Sequence, residues 1–370
     1  MFKAYKYKLI PNQEQIETLS KYFGSVRFVY NWGLNKKIET HKECGNSISY
    51  VQLSSELTLL KKQEEFEWLN ECPRDTLEQS LRNLEAAFSN FFKKNAKYPK
   101  FKSKKHSRCS VKFMQHIHFD FVNWNVKLPK IGKIYLCKSR TFNQTKNKIF
   151  NCTVSRDHCG TYWCVVTVDD LQEIPSKAEI RKDNSVGIDL GIKDYAILSD
   201  GRKFSNPKHL ENTKKKLAHL QKVFARKENG SKNYEKMRIK VAKCHRKIAN
   251  KRNDYLHNLS SYLVNNYKTI CLEDLNVNGM TKNHHLARAI QDASWGEFTR
   301  QLQYKSDWNG DNIIYIGRFE PSSKTCSVCG HKKDDLKLSD RSWVCPQCGT
   351  KHDRDINAAI NIKEMAFKES

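Results

Sequence analysis

Four cysteines near the C-terminal end of the sequence form two pairs whose spacing is typical of a metal site. The pairs are Cys326-x-x-Cys329 and Cys345-x-x-Cys348, and fifteen residues separate them. Four thiolates at this spacing bind one Zn²⁺ ion in a closed, tetrahedral structural site. We therefore predict a zinc module at residues 321–352, with a disulfide pair or free thiols as the alternative interpretation.

Three acidic residues stand where predicted core elements end or begin, and together they are here named the carboxylate site. Asp189 ends one short apolar strand, Glu273 ends a second, and Asp355 opens a short helix after the second cysteine pair. Carboxylate oxygens are the hard ligands that Mg²⁺ prefers. If the side chains converge, they can hold two Mg²⁺ ions about 4 Å apart, one to activate a water and one to stabilise the leaving 3′ oxygen of a phosphodiester.

Two of these acids have a neighbouring acid that could take the same role. Asp274 follows Glu273, but the strand pattern favours Glu273 because it shares the inward face of the apolar residue 271. Asp353 precedes Asp355, and Asp355 is favoured because it lies one turn before two alanines, on a face that could pack close to the sheet. Both alternatives remain open at this stage.

The composition indicates a folded, basic protein of two or three domains. The 370 residues include 66 Lys and Arg against 40 Asp and Glu, a net charge of +26, and 38% are hydrophobic. This excess opposes folding by self-repulsion and is best explained by a polyanionic partner, nucleic acid. No apolar run approaches the ~20 residues that span a membrane. The nine cysteines outside the zinc module have no regular spacing, so we expect reduced thiols in a cytosolic protein.

The first half of the sequence predicts a strand, a group of helices and then a mostly antiparallel β domain. Residues 2–10 alternate apolar and basic side chains as a strand does, and helices are expected from residue 13, at 51–62 and from residue 75. Further strands are expected at 111–121, 124–128, 133–137, 148–155 and 161–168.

Polar side chains in this half are candidates for nucleic-acid contacts. The third helix has one apolar face for the core, and its other faces could follow a phosphate backbone. Residues 98–105 interleave aromatic rings with lysines, which suits stacking on bases and contact with phosphates, although a plain basic loop is the alternative. The predicted contacts are Gln79, Arg82, Lys93, Lys94, Lys100, Lys102, Lys104 and Lys105.

The second half predicts short core strands separated by helices. The strand that ends at Asp189 is followed by a turn and a returning strand at 195–198, which is typical of the start of a ribonuclease-H-like nuclease. Residues 276–293 read as a mobile polar loop, 295–308 as an amphipathic helix and 312–316 as a buried strand leading to the zinc module.

Residues 203–252, here named the basic hairpin, carry the densest positive charge of the sequence. They hold 17 Lys and Arg against three Glu, which is +14 of the total, and a glycine at 230 divides two helical runs. Solvated helices usually mix their charge signs, so we predict a helical hairpin laid on a nucleic-acid backbone, with a solubilising arm as the alternative. The predicted contacts are Lys214, Lys215, Lys216, Arg226, Lys227, Arg246, Lys247, Lys251 and Arg252.

These motifs, in this order, resemble the RuvC-type nuclease of the TnpB family. The resemblance rests on Gly-Ile-Asp-Leu-Gly at 187–191, Leu-Glu-Asp-Leu at 272–275, the two cysteine pairs, and Asp-Arg-Asp-x-Asn-Ala-Ala at 353–359. Because other segments also fit, it covers nearly the whole chain. These further matches lie at 11–13, 128–132 and 294–298. The TnpB family is encoded by bacterial insertion sequences and is similar to the compact effectors of type V CRISPR systems.

The resemblance implies an RNA-guided, Mg²⁺-dependent DNA endonuclease of the bacterial cytoplasm, associated with the nucleoid. Its partners are then a guide RNA from the transposon end and a target DNA cut beside a short target-adjacent motif, with the protein a monomer bound to RNA. Asp189, Glu273 and Asp355 sit where the family's metal-binding acids sit. Two other functions remain open: a guide-bound DNA-binding repressor that does not cut, and a transposase that acts directly on transposon ends.

The resemblance also implies a multidomain α+β fold. An oligonucleotide-binding-like β-barrel, or wedge domain, is interrupted by a helical recognition domain. A ribonuclease-H-like α/β RuvC nuclease, which includes the basic hairpin, is interrupted by the four-cysteine zinc ribbon. The expected ranges are 1–12 and 98–180 for the wedge domain, 13–97 for the recognition domain, 181–320 and 353–370 for the nuclease, and 321–352 for the zinc ribbon.

Overall fold

The protein, seen in a computed structural model, forms two compact units, Met1–Gln172 and Glu173–Ser370. Among the described residues, no helix is long and apolar enough to cross a membrane. The four-domain division expected from the sequence is finer than these two units and stays a prediction. The structure describes residues 1–105, 109–144, 146–318, 320–337 and 340–368.

The first unit begins with a strand and a group of helices, as predicted. Its opening elements are β1 (Phe2–Ile10), α1 (Gln13–Cys44), α2 (Tyr50–Leu60), a 3₁₀ helix (Glu64–Glu71) and α3 (Arg74–Phe92). A capping box sets the start of α1, because the Asn12 side chain accepts from the backbone N of Gln15 and the Gln15 side chain accepts from the backbone N of Asn12. The helices share one core with the sheet of this unit, through residues such as Leu19, Leu77 and Leu81.

An antiparallel sheet completes the first unit, in the order β2-β6-β7-β1-β5-β4-β3. The added strands are β2 (Cys109–Phe113), β3 (His118–Asp120), β4 (Asn125–Leu128), β5 (Gly132–Leu136), β6 (Lys148–Arg156) and β7 (Tyr162–Asp169). The prediction of one strand at 111–121 was wrong, because β2 and β3 lie at opposite edges of the sheet. His116, between them, has φ 55°, a left-handed conformation that ends an extended run.

The second unit is built on a mixed sheet of short strands, in the order β10-β9-β8-β11-β12. The strands are β8 (Ser185–Leu190), β9 (Asp194–Leu198), β10 (Lys203–Ser205), β11 (Thr269–Glu273) and β12 (Asn312–Ile316). β8, β11 and β12 run parallel, whereas β9 and β10 pair antiparallel. The carboxyl ends of β8 and β11 therefore meet at one edge of the sheet, where ligands bind in open α/β sheets.

Helices and the zinc module complete the second unit. These elements are α4 (His209–Ala225), α5 (Lys232–Asn266), α6 (Val277–Met280), α7 (Ala287–Ala293), α8 (Trp295–Asn309), β13 (Ser342–Val344), β14 (Lys351–Asp353) and α9 (Arg354–Ala366). α5 continues beyond the basic hairpin because Leu256, Leu259 and Leu263 pack into the core of the unit. The prediction of a polar loop at 276–293 was wrong, because this range contains α6 and α7 and because Ile290 is buried in the same core.

Candidate active site and metal centres

Asp189 and Glu273 lie at the carboxyl ends of neighbouring parallel strands. The register of β8 and β11 brings these two residues to the same level of the sheet. Two residues earlier on each strand, Gly187 contacts α9 and Cys271 shares a buried cluster with that helix. Because alternate residues of a strand project from the same face, both carboxylates lie on the face that α9 covers.

A glycine allows α9 to lie very close to β8. A Cβ built on Gly187 would clash with the carbonyl oxygen of Ala359 and would lie 2.8 Å from the backbone N of Lys363. Ala359 itself is fully buried at this contact. The small residues of the two motifs therefore fix the distance between strand and helix, and with it the position of Asp355 in the first turn of α9.

The three carboxylates share one electrostatic environment. The pKa of Asp189 is raised to about 7, first by burial and then by the charges of Glu273 and Asp355, against the opposing charges of Arg354 and Arg341. A divalent cation relieves this repulsion, and carboxylate oxygens are the donors that Mg²⁺ prefers, so the residues fit that ion. Among the described residues these acids do not gather as tightly as the cysteines, whose ligand atoms all lie within 4.8 Å of one another.

The two competing acids have other partners. Asp274 forms an ion pair with Arg318 at 2.6 Å. Asp353 is the N-cap of α9, where its Oδ1 accepts from two backbone N–H groups of the first turn at 3.1 Å. Its Oδ2 pairs with Lys203 at 2.6 Å. Neither acid therefore needs a metal ion to explain its presence.

Two side chains that sequence reasoning missed contact the carboxylate site. Arg341 pairs with Asp355 at 3.6 Å, and the Oγ of Ser322 donates to Oε1 of Glu273 at 2.6 Å. Both come from the zinc module, where Ser322 lies 49 positions from Glu273, and Arg341 lies beside the pairing of β13 with β14 that brings it to Asp355. The only sequence signal was the position of the cysteine pattern directly before Asp355.

The four cysteines of the zinc module converge, as their spacing predicts. The Sγ–Sγ distance is 3.7 Å between Cys326 and Cys348 and 3.6 Å between Cys329 and Cys345. A disulfide bond is about 2.0 Å long, so these pairs are not disulfides. All four sulfur atoms lie within 4.8 Å of one another, and this compact four-thiol donor set fits a zinc ribbon.

Each cysteine pair sits in the same kind of tight turn. The backbone N of Gly330 donates to the carbonyl of Cys326 at 2.9 Å, and the backbone N of Gly349 donates to the carbonyl of Cys345 at 2.9 Å. The two glycines have φ values of 78° and 72°, a region that favours glycine. A glycine directly after the second cysteine of each pair was therefore a readable signal of this geometry.

The predicted nucleic-acid contacts are mostly exposed, but some are engaged within the protein. Arg82 lies over the ring of Tyr50 at 4.6 Å, and Lys102 lies over the ring of Tyr30 at 3.6 Å. The half-buried candidates are Gln79, Lys102, Arg246 and Arg252. The exposed candidates are Arg82, Lys93, Lys94, Lys100, Lys104, Lys105, Lys214, Lys215, Lys216, Arg226, Lys227, Lys247 and Lys251.

Arg252 differs from the exposed residues of the basic hairpin. It pairs with Asp292 of α7 at 2.5 Å, and the other oxygen of Asp292 accepts from the backbone N of Leu210 in α4 at 3.0 Å. Arg252 therefore ties three helices together. A small separate cluster packs α4 against α5 and consists of Leu217, Cys244 and Ile248.

Three family models match the sequence in separate regions. A model described as "Probable transposase" matches residues 164–284, and one described as "Cas12f1-like, TNB domain" matches residues 295–362. A third, described as "Helix-turn-helix domain", matches residues 1–46. In that range the structure has β1 followed by one continuous helix, α1, in place of two helices joined by a turn.

The chain is also similar to whole proteins. A Streptomyces pristinaespiralis protein named "Putative RNA-guided DNA endonuclease" is 41% identical over 361 residues, which cover 97% of this chain and 88% of that protein. "Putative RNA-guided DNA endonuclease InsQ" of Escherichia coli K12 is 32% identical over 375 residues, covering 97% and 91%. A solved Cas12f1–sgRNA–target DNA complex aligns with a TM-score of 0.55 at 15% identity, covering 95% of this chain and 81% of that one, which shows a shared fold.

The fold and the two sites define a multidomain α/β protein in which three acids that affect one another's charge lie beside a four-cysteine group that fits a zinc ribbon. The identity to the two bacterial proteins, over almost the full length of each chain, shows the family. The chain belongs to the TnpB family of insertion-sequence proteins, and the resemblance read from its motifs is confirmed.

Proposed function

We propose that this protein is an RNA-guided DNA endonuclease of a bacterial insertion sequence, which hydrolyses DNA phosphodiesters beside a short target-adjacent motif. One observation supports the nuclease activity: the acids on β8, β11 and α9 affect one another's charge, and burial together with Glu273 and Asp355 raises the pKa of Asp189 to about 7. A strongly perturbed acid in such a cluster is typical of a functional site. The names of the two bacterial relatives support the guided reaction.

In this proposal Asp189, Glu273 and Asp355 hold two Mg²⁺ ions. When bound, the ions supply an activated water and stabilise the charge on the leaving 3′ oxygen. The protein's own part is to hold the three carboxylates in place, and the contact between Gly187 and Ala359 does so for the helix. One Zn²⁺ ion in the zinc module has a structural role, because the module leads directly into α9.

The two units contain four domains in this proposal. β1 pairs with β5 and β7, which supports a wedge domain made of 1–12 and 98–180 with the helical recognition domain, 13–97, inserted between them. The strand order β10-β9-β8-β11-β12 supports a ribonuclease-H-like RuvC nuclease made of 181–320 and 353–370. The zinc module interrupts this nuclease between β12 and α9.

Guide RNA and target DNA are the proposed partners. Base pairing between them reads the target sequence, while the protein holds the duplex by its backbone and reads only the short adjacent motif. The net charge of +26, with +14 in the basic hairpin, supports binding of the duplex through its backbone. Such backbone contacts supply affinity without sequence information. The protein acts as a monomer bound to RNA, in the cytoplasm at the nucleoid.

Cleavage of DNA by the purified protein with its co-purifying RNA tests this function. Sequencing the RNA identifies the guide, and a matching DNA is then incubated with Mg²⁺ or with EDTA. We expect cleavage with Mg²⁺ and none with EDTA or with a DNA that does not match. Binding of matching DNA without cleavage would indicate a guide-bound repressor. Cutting of transposon ends without RNA would indicate a transposase.

A further inference from the structure

A hydrogen bond joins the zinc module to the carboxylate site. The Oγ of Ser322, at the start of the module, donates to Oε1 of Glu273 at 2.6 Å, and the two residues lie 49 positions apart in the sequence. Ser322 is only 5% exposed, so water competes little for this bond. A carboxylate held in this way by one oxygen keeps its second oxygen free to accept a metal ion.

Ser322 is in turn held by α9, the helix that carries the third acid. The Nδ2 of Asn361 donates to the carbonyls of Ser322 at 2.7 Å and Thr325 at 2.6 Å. One turn earlier, Asn357 donates to the same Thr325 carbonyl at 2.7 Å and accepts from the backbone N of Ser327 at 2.9 Å. Both asparagines are buried. A buried polar network with its bonds made fixes a single arrangement, so the entry to the zinc module is clamped onto α9.

We propose that Ser322 is a positioning residue, whose hydroxyl orients the Glu273 carboxylate for metal binding and whose own place is set by Asn361. The inference rests on the proposed function, since it assigns a role within the Mg²⁺-dependent nuclease site. Residues that orient a metal ligand typically change metal affinity or activity by about 10- to 100-fold when they are removed. A serine that merely filled space near Glu273 would change stability and leave metal affinity as it was.

The test compares Ser322→Ala with two matched variants in the full-length, guide-loaded protein. Ser323→Ala removes the hydroxyl of the next residue, for which the described residues show no bond to Glu273, and Ser322→Thr keeps a hydroxyl at position 322. The cleavage rate is measured against Mg²⁺ concentration. In parallel, Mn²⁺ binding is titrated by electron paramagnetic resonance. The Mn²⁺ ions that the parent binds and Asp189→Ala does not are assigned to the carboxylate site.

For Ser322→Ala we expect the half-saturating Mg²⁺ concentration and the Mn²⁺ dissociation constant at that site to rise about 10-fold or more. The cleavage rate should recover in part at high Mg²⁺, with zinc content and melting temperature near those of the parent. Ser322→Thr should restore metal affinity, and Ser323→Ala should match the parent.

Unchanged metal affinity in Ser322→Ala, or an equal loss in Ser323→Ala, would overturn the proposal. If the alanine variant loses zinc, Ser322→Val is compared with Ser322→Thr, because the two side chains have nearly the same volume and only threonine carries a hydroxyl, and equal metal affinity in the two variants is equally decisive. If the parent protein does not cut at all, the proposed function fails, but the Mn²⁺ titration still decides whether Ser322 orients Glu273.

Discussion

The carboxylate site and the basic hairpin belong to the same unit, yet they are held in opposite ways. At the carboxylate site, strand and helix pack so closely that Gly187 has no room for a Cβ. The basic hairpin has only a small buried cluster of its own, and most of its lysines face solvent. Tight packing allows one arrangement, whereas long exposed side chains keep many rotamers. We therefore expect catalysis at the carboxylate site to depend on packing, and the affinity of the basic hairpin for nucleic acid to depend on summed charge.

This contrast sets how each region should respond to substitution. A change in the carboxylate site alters groups that act as one unit, so its effect should be all or none. A change in the basic hairpin removes one of many separated charges, so its effect should be graded and roughly additive.

The largest effect is expected from the acids themselves. Asp189→Ala, Glu273→Ala and Asp355→Ala should each reduce cleavage to background, because each removes a proposed metal ligand. DNA binding should persist or strengthen, since the variants lose negative charge. Asp353→Asn is the matched control, because asparagine is an equally good N-cap residue, and it should still cut. An Asp355→Ala variant that cuts at the normal rate would move the third ligand to Asp353.

Loss of zinc should come next in size. Structural zinc contributes folding free energy directly, so Cys345→Ser should loosen residues 326–348 and displace Asp355 at the start of α9. Elemental analysis should find one Zn²⁺ per parent chain and less than one in the variant, with activity and melting temperature falling together. Pure, active protein without zinc would contradict this prediction.

Gly187→Ala tests whether the strand–helix contact positions the site. Overpacking of a close contact costs about 1–3 kcal/mol, and here it should also abolish cleavage by pushing α9 away. Gly296→Ala is the control in the same unit, because a Cβ at Gly296 meets nothing within 4 Å and the residue lies in α8. That variant should be at least as stable as the parent and keep its activity. Full cleavage by Gly187→Ala would show that the site tolerates movement of the helix.

The elements near the carboxylate site could largely be predicted from the sequence because their signals are local. Apolar runs marked β8 and β11, and the alanines after Asp355 marked a close helix. The contact of Ser322 with Glu273 could not be predicted, because only the fold brings residues 49 positions apart together. The contact of Arg341 with Asp355 was missed because it depends on the pairing of β13 with β14, two short strands that were not predicted.

The errors of prediction have equally physical causes. The break between β2 and β3 lies at residues 114–117 and includes His116 with positive φ, and this segment contains no glycine, proline, asparagine or aspartate to mark a turn. The helix α7 was read as a polar loop because it is short and buries few residues, mainly Ile290 and Ala293. The ion pair between Arg252 and Asp292 could not be predicted, because Arg252 lies among many similar basic residues in the sequence.

A pH prediction follows from Asp189. Its pKa rises from 3.8 to about 7 in the metal-free folded state, so the folded state binds this proton more tightly than the unfolded state does. The group therefore stabilises the metal-free protein below pH ~4 and loses this contribution as pH rises through about 7. Without added Mg²⁺, Asp189→Asn should be more stable than the parent at pH 8, by roughly 4 kcal/mol, and should lose that advantage towards pH 4. Equal melting curves at every pH would argue against a raised pKa.

The smallest and most graded effect is expected in the basic hairpin. Lys214, Lys215 and Lys216 are exposed, and each phosphate that they neutralise steepens the dependence of log K on log salt by about 0.9. Changing all three to Gln should weaken binding similarly for every guide sequence and flatten the salt slope by up to about 2 to 3 units. Arg252→Gln is the contrasting variant, because Arg252 already pairs with Asp292 and should lose stability with little change in slope. Titrations at several salt concentrations measure both. An unchanged slope in the triple variant would show that these lysines are solvated surface, and the contact with the nucleic-acid backbone would then be sought at residues 100–105.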